Sequence, residues 1–156
     1  MKIVGIDPGL KGGIAVLSIS GSYNLYKMPI KNDHVDSKQL AKFIKIIDPI
    51  SVWIESLLVL PCNAKQSIST MGVNWGRVVG CIEALGIPLN QVDPVSWQRG
   101  LFVPKGSSKN VKERILIRAK QLFPGQDFCE ADSNKFNDGC VDALLIAKFG
   151  MNQTIK

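Results

Sequence analysis

The 156-residue chain is short of several things that would narrow its chemistry at once. It holds one histidine, His34, in the polar stretch KNDHVD where solvent suits it, so imidazole relays and histidine-rich metal sites have little to work with. Its four cysteines, Cys62, Cys81, Cys129 and Cys140, are scattered without a C-x-x-C pair. That argues against a zinc site or a disulfide framework and for reduced thiols filling space. No run approaches the ~18 uninterrupted apolar residues of a membrane span, and nothing near Met1 reads as a signal peptide. The G-x-x-x-x-G-K-[ST] pattern of a Walker-type nucleotide site is missing too. Without a linker, repeat or low-complexity tract, a chain of this length is expected to form one domain, residues 1–156. Acids are the last shortage: 13 Asp and Glu face 19 Lys and Arg, a net charge of +6. The expected partner is therefore an anion, nucleic acid before a membrane surface.

Hydrophobic patterning supplies the elements. KIVGID and GGIAVLSI are apolar, β-rich runs separated by the turn PGLK, and read as a hairpin. SYNLYKMP is a third strand ended by Pro29. In SKQLAKFIKII, Leu40, Phe43, Ile44 and Ile47 recur at helical spacing behind Asp36 or Ser37 as N-cap, and Pro49 closes the helix. SVWIES is a short strand. A long helix runs from about Lys65 to Leu85, stopped by Gly86 and Pro88, and LNQVDP is a short strand with a turn. Ser107 or Ser108 caps a helix through VKERILIRAKQLF that Pro124-Gly125 ends. The last helix starts near Phe136–Asp138 and reaches Gly150. The order β-β-β-α-β-α-β-α-α predicts an α/β fold, a mixed sheet covered by helices.

Four carboxylates sit where burial is costly. Asp7 ends the first apolar strand, and Glu55 ends SVWIES. Asp142 lies inside the apolar run VDALLIA, with Asp138 one turn earlier on the same helical face. Each alone has an ordinary explanation. Asp7 before Pro8-Gly9 opens a turn, Glu55 caps a segment or pairs with a lysine, Asp138 complements a helix dipole, and Asp142 makes a structural salt bridge. Together they make a different case. If the first and fourth strands pair in parallel, about 4.8 Å apart, Asp7 and Glu55 stand side by side. Like charges so gathered need cations between them, and hard divalent ions such as Mg²⁺ prefer oxygen ligands. Two such ions about 4 Å apart activate a water and steady the leaving oxygen of a phosphodiester.

GIDPGLKGGIAVL, then IES at a strand end, then DGCVDALLIA on the final helix resemble RuvC-type Holliday-junction resolvases, which belong to the ribonuclease H-like nucleases. The resemblance spans nearly the whole chain. It implies a ribonuclease H-like fold with a mixed five-stranded sheet flanked by helices. It further implies a divalent-metal-dependent endonuclease that cuts four-way and related branched DNA, in the cytoplasm of a bacterial cell or a phage-infected host. Asp7, Glu55 and Asp142 match the family's metal-binding acids, with two Mg²⁺ ions expected and Mn²⁺ able to substitute. Asp138 matches the fourth, although four positions separate the last two acids here and bacterial members usually have three. KNVKERI resembles the family's K-E-x-V segment and places Lys112 near the scissile phosphate, where it would stabilise developing charge. Members often carry an aromatic wedge a few residues beyond the second acid. ESLLVLP leaves Leu57 or Leu58 to serve instead.

Lys105, Lys109, Lys112 and Arg114, interleaved with Gly106, Ser107 and Ser108, suit a loop that follows a phosphate backbone. Lys11, Lys65 and Arg77 extend the patch. Trp97 and Arg99 are candidates for a groove wall, or for Trp97 the core. Gly72, Gly76, Gly80 and Ala84 recur every four residues, and each glycine weakens a helix by about 1 kcal/mol relative to alanine. A smooth face of this kind invites close approach, either by the chain's own sheet or by a two-fold partner in a homodimer, which a symmetric junction would match. Three other readings stay open: an actin-like ATP site, for which the chain is short; a DNA-binding module whose acids are structural; and a nuclease acting on RNA–DNA hybrids. Neither a nucleotide cofactor nor a membrane is expected.

Overall fold

The computed structural model describes residues 1–57, 65–103, 111–125, 128 and 137–155, and for residues 65–67 the backbone alone. Expectations for Leu58, Cys62, Lys105, Ser107, Ser108, Lys109, Cys129, Phe136 and the Lys65 side chain fall outside the described residues. The chain runs β1 (Lys2–Ile6), β2 (Gly13–Ser18), β3 (Tyr23–Lys27), β4 (Ile30–Lys31), β5 (His34–Val35), α1 (Ser37–Ile47), β6 (Ser51–Glu55), α2 (Lys65–Ala84), β7 (Leu89–Val92), α3 (Pro94–Gly100), α4 (Val111–Leu122) and α5 (Asp138–Thr154). Five strands form one mixed sheet in the order β3-β2-β1-β6-β7. The meander β1-β2-β3 is antiparallel, whereas β6 lies parallel to β1 and β7 parallel to β6. The expected α/β architecture is the one observed.

Both faces of the sheet are covered, so β1 and β2 read as almost unbroken apolar runs. Val4, Ile6, Ile14, Val16, Val52 and Ile54 meet Leu40 and Ile44 of α1 and Val78, Val79 and Ile82 of α2. On the opposite face Ile3, Ala15 and Leu17 belong to a second cluster with Trp97, Ile115, Ala119 and the buried side of α5. Cys81 is partly buried and Cys140 buried, both packed within the fold.

Three features depart from the sequence reading. KNDHVD holds a miniature hairpin, β4-β5, turning through Asn32 and Asp33 at φ 51° and 58°. Two successive left-handed residues are the backbone demand of a tight hairpin turn, and Asn and Asp meet it best after glycine. His34 is therefore partly buried in a strand rather than solvated. Beyond LNQV the chain makes a helix, α3, where only a turn was expected. Asp93 is its N-cap, accepting from the Ser96 N–H, with Pro94 in the first turn. Finally, α5 continues past Gly150 to Thr154. Gly150 does not end the helix; it leaves room for the Trp53 indole, whose Nε1 would lie 2.6 Å from an added Cβ.

The glycines that matter most are those under α5. A Cβ on Gly5 would overlap the Ala143 carbonyl oxygen, and one on Gly13 would lie 2.7 Å from the Cys140 Cα. Gly12 and Gly139 meet in a backbone bridge. By contrast, among the described residues a Cβ on Gly72, Gly76 or Gly80 meets nothing within 4 Å, so their face of α2 does not pack on the chain's own sheet. Since the Gly5 clash is with backbone, Gly5→Ala is expected to cost about 3 kcal/mol and lower the melting temperature by about 6–12 °C. Scanning calorimetry of the two proteins checks it, and an unchanged melting temperature would contradict the packing.

Candidate active site

Four carboxylates and one lysine gather where β1 and β6 end and where α4 and α5 begin. Strand register does the first part. Ile6 pairs with Ile54 in the parallel β1–β6 ladder, so the next residues, Asp7 and Glu55, stand abreast. The Asp-Pro-Gly turn then fixes Asp7. Its N–H donates to the Gly13 carbonyl at 3.0 Å, and its Oδ1 accepts the Gly9 N–H at 3.0 Å. The turn reading of Asp7 is thus correct, and the turn aims the carboxylate rather than using it up.

Glu55 is held at two points. Its carbonyl accepts Trp75 Nε1–H at 3.1 Å, and its Oε2 accepts Trp97 Nε1–H at 2.8 Å. The Gly12–Gly139 bridge brings the N-terminus of α5 onto the hairpin, and with it Asp138 and, one turn on, Asp142. Lys112, in the first turn of α4, donates to Asp138 Oδ2 at 2.5 Å. That pair is solvent-exposed and worth little to stability. Lys112, Asp138 and Asp142 line a recess of about 350 Å³ between α4 and α5, with Glu113, Ile115, Leu116 and Val141.

The acids feel one another. Burial pushes Asp142 up to about 8, and the charges of Asp7, Glu55 and Asp138 push the same way against Lys112. Burial raises Glu55; the Trp97 hydrogen bond opposes it, while Asp7 and Asp93 add to it. Asp7 rises by burial, opposed by the Gly9 N–H and by Lys112. Lys112 is raised in turn, first by its hydrogen bond and ion pair with Asp138, with Asp142 and Asp7 contributing. Asp7, Glu55 and Asp142 are partly buried and act on one another, whereas Lys112 and Asp138 stay more exposed beside them. Among the described residues, however, no three acid, histidine or cysteine side chains are drawn close enough to hold a metal ion as they stand.

The other expected site residues are more dispersed. Lys11 is exposed on the β1–β2 turn, and its carbonyl lies against Gly139. Arg77 donates to the Val35 carbonyl at 3.1 Å, and beside it the buried Asn74 accepts the Val35 N–H at 2.9 Å. Arg77 therefore helps tie the β4-β5 hairpin to α2. Arg114 and Leu57 are partly buried and Arg99 is exposed. Trp97 is 1% exposed and belongs to the core rather than to a groove wall. The sequence reading missed Trp75 and Asp93, together with the role of Trp97 at Glu55. D-P-x-S before the tryptophan was a usable helix-start signal, but no local pattern pairs residues 42 positions apart.

The Asp142 shift makes stability depend on pH. Between the ordinary value of 3.8 and about 8, the folded chain holds a proton that the unfolded chain has released. Stability therefore falls as pH rises through that window, by at most about 1.4 kcal/mol per unit, and levels off above it. The raised Asp7 and Glu55 act in the same direction. Urea unfolding without divalent cations should show a less stable protein at pH 8 than at pH 5.5. Asp142→Asn should flatten the profile and raise stability at pH 8; an unaltered slope would mean that Asp142 titrates normally.

No protein-family model matches the sequence, and no curated protein does. Solved structures do match the fold. RuvC of Thermus thermophilus in complex with a Holliday junction substrate is 15% identical, with a TM-score of 0.67 over 98% of this chain and 96% of its own. A second structure of Thermus thermophilus RuvC is 16% identical, with a TM-score of 0.66 over 99% and 97%. The yeast mitochondrial Holliday junction resolvase Ydc2 is 13% identical, with a TM-score of 0.61 over 98% of this chain and 78% of its own. Across nearly its full length, the chain has the ribonuclease H-like α/β fold of RuvC.

Proposed function

We propose that this chain is a RuvC-type endonuclease, a single domain over residues 1–156 that resolves Holliday junctions and related branched DNA by paired phosphodiester hydrolysis. The observation that carries the reading is the mutual field of Asp7, Glu55, Asp138 and Asp142 at one end of the sheet. Two of the similarly folded proteins are described with Holliday junctions, one bound to that substrate and one as its resolvase.

The donor set fits a hard divalent cation. It consists of carboxylate oxygens only, partly desolvated, with a single nearby ammonium among the charges that act on Asp142. Asp7, Glu55, Asp138 and Asp142 are the residues that would hold it, with two Mg²⁺ proposed and Mn²⁺ as a substitute. Bound there, the ions would supply Lewis-acid activation of a water and charge neutralisation at the leaving oxygen. The chain does the rest. The Asp7 turn and the two indoles on Glu55 fix oxygen positions before substrate arrives. Lys112 brings positive charge to the mouth of the recess, where a scissile phosphate would gain negative charge. Lys11, Lys65, Arg77, Lys105, Lys109 and Arg114, with Leu58, are proposed to contact DNA, mostly through phosphates. No helix of the described chain is long and apolar enough to cross a membrane, and the proposed setting is cytoplasmic.

The test is direct. Labelled four-way junction, linear duplex and RNA–DNA hybrid are incubated with the protein in Mg²⁺ or in EDTA. Paired nicks in the junction are expected, lost in EDTA and in Asp7→Asn, with junction binding by that variant retained. Cutting of the hybrid alone would make the chain a ribonuclease, and binding without any cutting would leave a DNA-binding module.

The open Gly72/Gly76/Gly80 face is proposed as the homodimer contact. Light scattering should then give about twice 17.1 kDa, and Gly76→Leu, at a position where an added Cβ meets no described residue within 4 Å, should give a folded monomer. A wild-type mass of one chain removes the dimer from the proposal.

A further inference from the structure

We propose that Trp97 is a positioning residue, its indole N–H fixing the Glu55 carboxylate in the direction that a shared cation needs. A helix outside the acid cluster then sets the cluster's metal affinity. The inference rests on the metal-dependent reading above and deepens it.

The geometry is specific. Trp97 is 1% exposed, and its Nε1–H donates to Glu55 Oε2 at 2.8 Å. The helix that carries it is pinned at both ends. At the start, Asp93 Oδ1 accepts the Ser96 N–H at 2.9 Å behind Pro94. At the end, the Leu101 N–H donates to the Trp97 carbonyl at 3.0 Å, Val103 N–H to Gln98 at 2.9 Å, and Arg118 Nε to Leu101 at 2.5 Å. The ring packs in the cluster that includes Val92, Leu101, Ile115 and Ala119. With the Glu55 carbonyl held by Trp75, both backbone and side chain of this acid are fixed.

The choice of donor carries the argument. A lysine or arginine would orient Glu55 equally well, but would also neutralise it and compete with an incoming cation. An indole donates one hydrogen bond and brings no charge. It spends one lone pair of the carboxylate and leaves the negative charge and the other oxygen for a metal. Asp7 shows the same economy, held by the neutral Gly9 N–H. Asp138, held by the Lys112 ammonium, does not. Hydrogen-bond partners of metal-holding groups typically set affinity by about 10–100-fold.

Trp97→Phe keeps an aromatic ring and removes only the donor. Mn²⁺ titration by calorimetry, on the full chain without DNA, should show binding weakened about 10-fold or more. Junction binding in EDTA should be unchanged, and the loss should be absent when the same substitution is made in Glu55→Gln. A purely packing role would lower thermal stability and leave the Mn²⁺ constant alone. A readout on the wild-type protein covers the case in which the variant does not fold. With ¹⁵N-labelled tryptophan, the Trp97 indole signal should shift as Mg²⁺ is added and lose its hydrogen-bonded position in Glu55→Ala, which removes the acceptor. Equal Mn²⁺ affinity in Trp97→Phe, or an indole signal that ignores Mg²⁺, overturns the inference while the nuclease reading stands. If the wild-type protein binds no Mn²⁺ at all, the metal-dependent reading fails, and this inference with it.

Discussion

The architecture depends on how closely α5 lies on the β1–β2 hairpin. Helix and sheet normally keep a layer of side chains between them; here stretches of backbone are nearly in contact. Gly5, Gly12 and Gly13 supply the floor, and Gly139, Ala143 and Ala147 the underside of the helix. The Gly12–Gly139 bridge is the closest expression of it, a strand-like contact made by a residue inside a helix. The cost is glycine's loss of chain entropy on folding. The gain is position: an acid one turn into α5 arrives beside an acid at the tip of β1. With a bulkier interface the two carboxylates would sit farther apart, and the Asp7 charge would add less to the rise that burial imposes on Asp142.

That placement sets stability against function. Desolvating several acids at one end of the sheet destabilises the fold wherever they are ionised, and among the described residues the Lys112 charge opposes the Asp142 and Asp7 shifts. A chain selected for stability alone would put amides or apolar groups at these positions. Unfavourable local charge inside an otherwise consistent fold is where functional sites are to be sought. Under the proposed reading, divalent cations relieve the conflict, and folding and metal binding are thermodynamically linked.

Much of this was legible in the residues. Apolar, β-rich runs gave the meander, whereas the parallel pairing of β1 with β6 entered only as the condition under which Asp7 and Glu55 would stand side by side, and the structure meets that condition. GIDPG and VDALLIA announced carboxylates in apolar settings, and the structure brings all four together with Lys112. What escaped the sequence was of two kinds. Short elements such as β4-β5 and α3 depend on turn chemistry, Asn32-Asp33 and Asp93-Pro94, inside stretches too brief for periodicity to register. Long-range partnerships, Trp97 with Glu55 and Arg77 and Asn74 with Val35, leave no local trace. The glycine stripe of α2 was read correctly as a smooth face, yet the glycines that bring backbones together lie elsewhere, under α5.

The charge distribution ties these threads together. The chain carries a net +6, yet four carboxylates act on one another at one end of its sheet. A polyanion is drawn to such a protein as a whole and repelled by the spot where chemistry would occur. Neither attraction nor repulsion alone explains why both persist in one small domain. On the proposed reading divalent cations would resolve the contradiction, because they would neutralise the repulsive acids only when present. On the proposed reading, binding of DNA and readiness to cut it are then separate events. The basic exterior holds the substrate at any metal concentration, and the acids decide whether its backbone can descend into the recess. The neutral donors on Asp7 and Glu55 suit that division, since they fix the ligands without discharging them.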